Sequence, residues 1–82
     1  MTPKHLRILR HMLGIDDARR KPIPYRNYYC ANHGNETLRE LAELGLVEKT
    51  LEDEHYEVYQ ATKTGRALAI ESARERYREE ER

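Results

Sequence analysis

The chain has 82 residues, enough for one domain; 38% are hydrophobic and 37% charged, with fifteen basic groups balanced by fifteen acidic ones, against roughly a quarter charged in an ordinary domain. No apolar run exceeds four residues, which excludes a membrane-spanning helix and a signal-peptide core. The single Cys30 excludes an internal disulfide and fits a reducing, cytoplasmic setting without membrane attachment.

The charge is unevenly spread. Residues 1–30 carry a net +5, residues 31–62 a net −6 and residues 63–82 a net +1. A neutral chain with a basic front and an acidic middle has poles, and poles select partners.

In chain order, Thr2 is a good N-cap and Pro3 suits the first position of a helix that Gly14 is placed to end. Leu6, Ile8, Leu9, Met12 and Leu13 share one arc of it, and Lys4, Arg7, Arg10 and His11 the opposite, cationic one. Asp16 to Pro24 is a breaker segment held extended by Pro22 and Pro24. Tyr25 to Ala31 is rich in strand formers and reads as a short strand, with a short helix as the alternative. After a turn at Asn32 to Asn35, a second helix runs from about Glu36 to Leu44. Asn35 is its N-cap, with a competing capping box from Thr37 and Glu40. Leu38, Leu41, Ala42 and Leu44 form its inner face, and Gly45 with Leu46 gives a Schellman ending. Val47 to Leu51 and Tyr56 to Ala61 form a hairpin around Glu52-Asp53-Glu54; alternation sets Tyr56 and Val58 on one face, Glu57 and Tyr59 on the other. Thr62 caps a last helix whose stripe is Ala67, Ile70, Ala73 and Tyr77, with Leu68 beside it. Residues 1–73 form the expected domain, and residues 74–82 a charged helical tail.

Leu41 to Glu48 (Leu-Ala-Glu-Leu-Gly-Leu-Val-Glu), followed by Tyr59 to Ala67 (Tyr-Gln-Ala-Thr-Lys-Thr-Gly-Arg-Ala), resembles the recognition-helix and wing half of multiple-antibiotic-resistance-type bacterial regulators. The resemblance covers roughly residues 36–72. It implies a small winged-helix-like α+β domain of about three helices with a two- or three-stranded antiparallel wing sheet, the hairpin being the wing. A full helix-turn-helix needs another helix directly before the recognition helix, and Pro22 to Cys30 holds that place. A second resemblance rests on Leu9 to Asp16, with its Leu-Gly-x-Asp, and on Tyr25-Arg26-Asn27. It is to small uncharacterised phage and prophage proteins; it implies a phage origin and carries no activity.

Phosphate neutralisation needs exposed cations. The resemblance would place DNA on helix two and the wing, but that surface bears Glu36, Glu40, Glu43, Glu48, Glu52, Asp53, Glu54 and Glu57 against Arg39 and Lys49. The expected DNA contacts are therefore Lys4, Arg7, Arg10, Arg19, Arg20, Lys21 and Arg26, with Tyr25, Tyr28 and Tyr29 either stacking on bases or serving as core. Cys30-x-x-His33 lacks a second ligand pair at zinc spacing, since His5, His11 and His55 follow no motif. No nucleophile signature and no phosphate-cradling glycine loop is present, so neither a catalytic site, a metal nor a cofactor is expected. The expected function is DNA binding in a regulatory role through the basic N-terminal half. The alternative is a protein-interaction module docking a host or phage protein through Glu40, Glu43, Glu52, Asp53, Glu54 and Tyr77, with a homodimer seam along the last helix.

Overall fold

In a computed structural model, which describes residues 1–81, Thr2 begins the first helix through a reciprocal cap. Its Oγ1 accepts from the His5 backbone N–H at 3.3 Å, and its own N–H donates to His5 Nδ1 at 2.9 Å. His5 thus does the job that Glu or Gln does in the usual capping box. Helix α1 spans Pro3–Met12. Its end is a full Schellman motif: Ile15 N–H reaches Arg10 O and Gly14 N–H reaches His11 O, both at 3.0 Å, with Gly14 at φ +76°.

The remaining described elements are β1 (Tyr29–Asn32), α2 (Glu36–Glu43), β2 (Val47–Glu52), β3 (Tyr56–Ala61) and α3 (Lys63–Glu80). The three strands form one antiparallel sheet in the order β1-β3-β2, so the domain is α+β. Helix α2 follows the sequence closely at its ends. Asn35 Oδ1 accepts from Leu38 N–H at 3.0 Å, so the competing Thr37–Glu40 box is not used. Leu46 N–H and Gly45 N–H close a second Schellman motif on Leu41 O and Ala42 O.

Three expectations need correction. The expected strand over Tyr25 to Ala31 is only Tyr29–Asn32. Upstream, Tyr25 N–H and Tyr28 N–H go to Leu13 O and Met12 O at the end of α1, so the segment spends its donors there rather than in the sheet. Asn27 instead uses its side chain as a strand would: its Nδ2 donates to Ala61 O at 3.2 Å and its Oδ1 accepts from Ala61 N–H at 2.8 Å. Ala42 and Leu44 are exposed, Leu44 by 56%, because the chain turns back at Gly45; the buried positions of α2 are Thr37, Leu38 and Leu41. In α3 the buried positions are Gly65, Ala69 and Ala73, whereas Ala67 is exposed and Ile70 and Tyr77 are half-buried. The rotation of α3 is fixed by Gly65, which lies on the Leu46 carbonyl so closely that a Cβ there would collide with it. No helix occupies the stretch between α1 and α2, so α2 has no helix-turn-helix partner.

The core is built around Leu9, Met12, Leu13, Leu38 and Leu41, all fully buried, joined by Ile8, Ile15, Ala31, Leu46, Val47, Tyr59, Ala61, Ala69 and Ala73. Gly65, Ala69 and Ala73 repeat every fourth residue, and that spacing gives α3 a smooth face for close approach. Helix α3 runs unbroken past residue 73, and Arg76 Nη1 donates to Asp16 O at 2.8 Å and Oδ1 at 3.0 Å. The expected tail is thus tethered to the α1–β1 connection.

Candidate nucleic-acid interface

The seven expected contact residues divide into three groups. Lys4 and Arg7 are exposed, and with His11 they follow the i, i+3, i+7 spacing of one helix edge. They line an open concavity of about 460 Å³ together with Tyr29 and Asn35. His11 meets Tyr29 edge-to-face at 5.6 Å between ring centroids.

Arg26 continues this edge. Its Nη2 donates to His11 O at 2.7 Å, placing a cation on the carbonyl end of α1, where the helix dipole favours it. Its guanidinium carbon lies 5.6 Å from the ring centroids of both Tyr25 and Tyr28, within cation–π range. Those rings are exposed by 74% and 54%. Tyr25 rests against Gly14, where a Cβ would strike the ring. Of the three tyrosines, Tyr25 and Tyr28 therefore face outward and only Tyr29 packs against the core.

Arg10 is the clear correction. It is only 8% exposed, its Nε donates to Asp16 Oδ1 at 2.8 Å and its Nη1 to Ser72 Oγ at 2.7 Å. It braces α1 to α3 and is not available to a phosphate. Arg19 Nε pairs with Asp17 Oδ1 at 3.2 Å; the Arg19 backbone N–H on the same oxygen, with that pairing second, holds the Asp17 carboxyl below its ordinary range. Arg20 is exposed. Lys21 lies apart, in a cleft of about 250 Å³ with Pro22, Ile23, Arg74, Tyr77 and Arg78. The ion pairs among the described residues engage neither Lys4, Arg7, Arg20, Lys21 nor Arg26.

Several residues of the acidic surface are internally engaged. Glu40 Oε1 accepts from His5 Nε2 at 2.8 Å. Asp53 Oδ1 accepts from the backbone N–H groups of His55 and Tyr56, which hold its carboxyl below the ordinary range. Glu52 accepts from Lys49 Nζ at 2.6 Å. Glu43 makes no ion pair among the described residues, and Glu54 only a long one, 3.9 Å, to His55.

Glu57, expected on the acidic surface, is buried at 7% exposure. It shares the inner parity of β3 with Tyr59 and Ala61. Tyr59 Oη donates to its Oε2 at 2.7 Å, Lys49 Nζ to its Oε1 at 3.1 Å, and His33 Nδ1 lies 3.2 Å from Oε1. The Tyr59 hydroxyl leads in keeping the Glu57 carboxyl ionised below its usual range. His33 Nε2 sits 2.6 Å from Asp53 O. Both His33 nitrogens therefore face acceptors, which favours the imidazolium and raises its pKa, the Asp53 carbonyl being the main cause. His33, Glu52 and Glu57 form the one group of three or more metal-type ligands within mutual reach among the described residues. The Lys49 ammonium stands between the two carboxylates, so the chain supplies its own cation there. Cys30 is exposed and outside this group.

This cluster fastens the hairpin to the turn after β1, and its strength depends on pH. His33, with its pKa raised above the ordinary 6.5, contributes stability that is full below that value and lost as pH rises through the folded one. Glu57, lowered from 4.5, loses its contribution as pH falls through its folded value. The stability margin of the native chain over His33→Gln should thus be largest between these limits. Urea unfolding followed by circular dichroism at about pH 5.5 and about pH 8.5 should show it shrink at the higher pH; an equal margin at both would mean His33 is not charged in the fold.

No protein-family model matches the chain, nor does any curated protein or solved structure. No helix among the described residues is long and apolar enough to cross a membrane.

Proposed function

We propose that the protein is a non-catalytic nucleic-acid-binding module, acting on DNA in a regulatory role through its N-terminal edge. One observation carries this reading. Lys4 and Arg7 stand exposed along α1 and make no ion pair among the described residues, continuous with His11 and Arg26, while Glu40, Glu52 and Asp53 of the acidic pole are occupied within the fold. Unneutralised cations in a row are what a phosphate backbone requires. The likeness of residues 36–72 to winged-helix regulators supports the regulatory part, and the phage-like front pattern a phage origin.

Binding of mixed-sequence DNA, offered native and strand-separated, should weaken roughly tenfold or more between about 50 and 200 mM salt, as two to three phosphate contacts require. Lys4→Glu with Arg7→Glu should remove most of that slope in an anisotropy titration. The triple reversal of Arg19, Arg20 and Lys21 to Glu should matter less, since Arg19 is already paired with Asp17 and Lys21 lies in a separate cleft. Absence of binding to either form at low salt would refute the reading.

A further inference from the structure

The same edge carries more than charge, and resting on the reading above we propose that its ligand is a single strand, DNA or RNA, whose bases stack on Tyr25 and Tyr28. Three observations converge. First, Tyr25 and Tyr28 are large rings left mostly in water, 74% and 54% exposed, the most exposed of the tyrosines, against 39% for Tyr56 and 5% for Tyr59. Second, they are held rather than loose. Tyr25 is seated on Gly14 and its N–H is bonded to Leu13 O; Tyr28 N–H is bonded to Met12 O; the Arg26 guanidinium lies near both rings and is pinned to His11 O. An ordered ring loses little freedom when a base covers it. Third, Lys4 and Arg7 form one row along α1 that leads to His11, whose carbonyl holds Arg26 beside the two rings; one row fits one backbone and not the two that border a duplex groove.

A duplex is further disfavoured by the carboxylates beside the row. Glu36 and Glu40 of α2 line an open concavity with Lys4, and Arg39 already lies 3.8 Å from Glu36. A second phosphate backbone laid next to the first would meet them. A single strand can follow the α1 edge with its backbone on Lys4 and Arg7 and turn unpaired bases onto the rings, the arrangement of sequence-tolerant single-strand binders. Arg26 acts as a positioning residue that keeps the two rings apart and oriented.

The test is fluorescence anisotropy of the full chain with labelled oligo-dT and oligo-rU of about 12 nucleotides and with a mixed-sequence duplex of equal length. Both single strands should bind at least about tenfold tighter than the duplex, dT against rU showing which sugar is preferred. Tyr25→Ala with Tyr28→Ala should cost roughly tenfold per ring on the single strands. The duplex should be unchanged, and the double Tyr→Phe variant should retain affinity because the ring is kept. Circular dichroism confirms that each variant is folded. Equal binding of strand and duplex, indifferent to the rings, would overturn this inference while leaving nucleic-acid binding intact. No binding of any nucleic acid would overturn both, and would turn attention to a protein partner.

Discussion

Gly65→Ala should destabilise the protein by about 3 kcal/mol, although in an ordinary exposed helix the same change gains about 0.5–1 kcal/mol. The sign is reversed by what lies beneath. Leu46 leaves α2 through its Schellman turn and its carbonyl accepts the Thr62 N–H at 3.0 Å, so the end of α2 is bound to the start of α3. The Thr62 hydroxyl donates to Gly45 O at 2.7 Å while accepting from Gly65 N–H at 3.2 Å. A methyl group on Gly65 would meet Leu46 backbone, not a side chain that can swing away. Room can come only from separating the two helix ends. The urea midpoint of Gly65→Ala against that of an exposed control, Ala67→Gly, is the measurement. A Gly65→Ala variant more stable than the native chain would show that the contact is looser than described.

Arg10→Met should cost about 2 kcal/mol and leave the salt dependence of nucleic-acid binding unchanged. The thioether fills part of the volume but cannot bond Asp16 or Ser72, which both lose a charged donor at a half-buried position. Asp16 retains Arg76, which limits the loss. Arg7→Met is the counterpart: stability held, salt slope reduced. These two positions lie three residues apart on one helix and were indistinguishable as cations in the sequence. If Arg10→Met proved harmless to stability and damaging to binding, the assignment of the two arginines would be reversed.

That pair shows where reading the sequence stops. Whatever depends on near neighbours was legible: the Thr2, Asn35 and Thr62 caps, the left-handed glycines after α1 and α2, and the polar-tipped hairpin. Arg10 was not, because the groups that draw it inward include Ser72, 62 residues away, and a helical wheel contains only its own helix. Glu57 was half legible. Its parity with Tyr59 and Ala61 gave the inward face, but its charge argued for solvent, and only Lys49, His33 and Tyr59 together make burial tolerable. The stripe on α3 was misplaced for a related reason: hydrophobicity favoured Ile70 and Tyr77, whereas close helix packing selected Gly65, Ala69 and Ala73 for their small size. Of the candidate interface, the cations and the tyrosines were visible, but not that Tyr25 and Tyr28 point outward and Tyr29 inward, which the attachment of this segment to the end of α1 decides.

The Leu-Gly-x-Asp and Tyr-Arg-Asn patterns turn out to be two halves of one clasp. Gly14 makes the seat for Tyr25, Asp16 gathers Arg10 and Arg76, Arg26 closes on His11, and Asn27 fastens to Ala61. Parts that fit each other are inherited together. Among descendants of a common ancestor, a chain that exchanged Gly14 for a bulkier residue should also have given up the ring at position 25, and one that lost Asp16 should no longer keep arginine at position 76. The two short patterns would then act as a single constraint on the scaffold, separate from the exposed edge of α1.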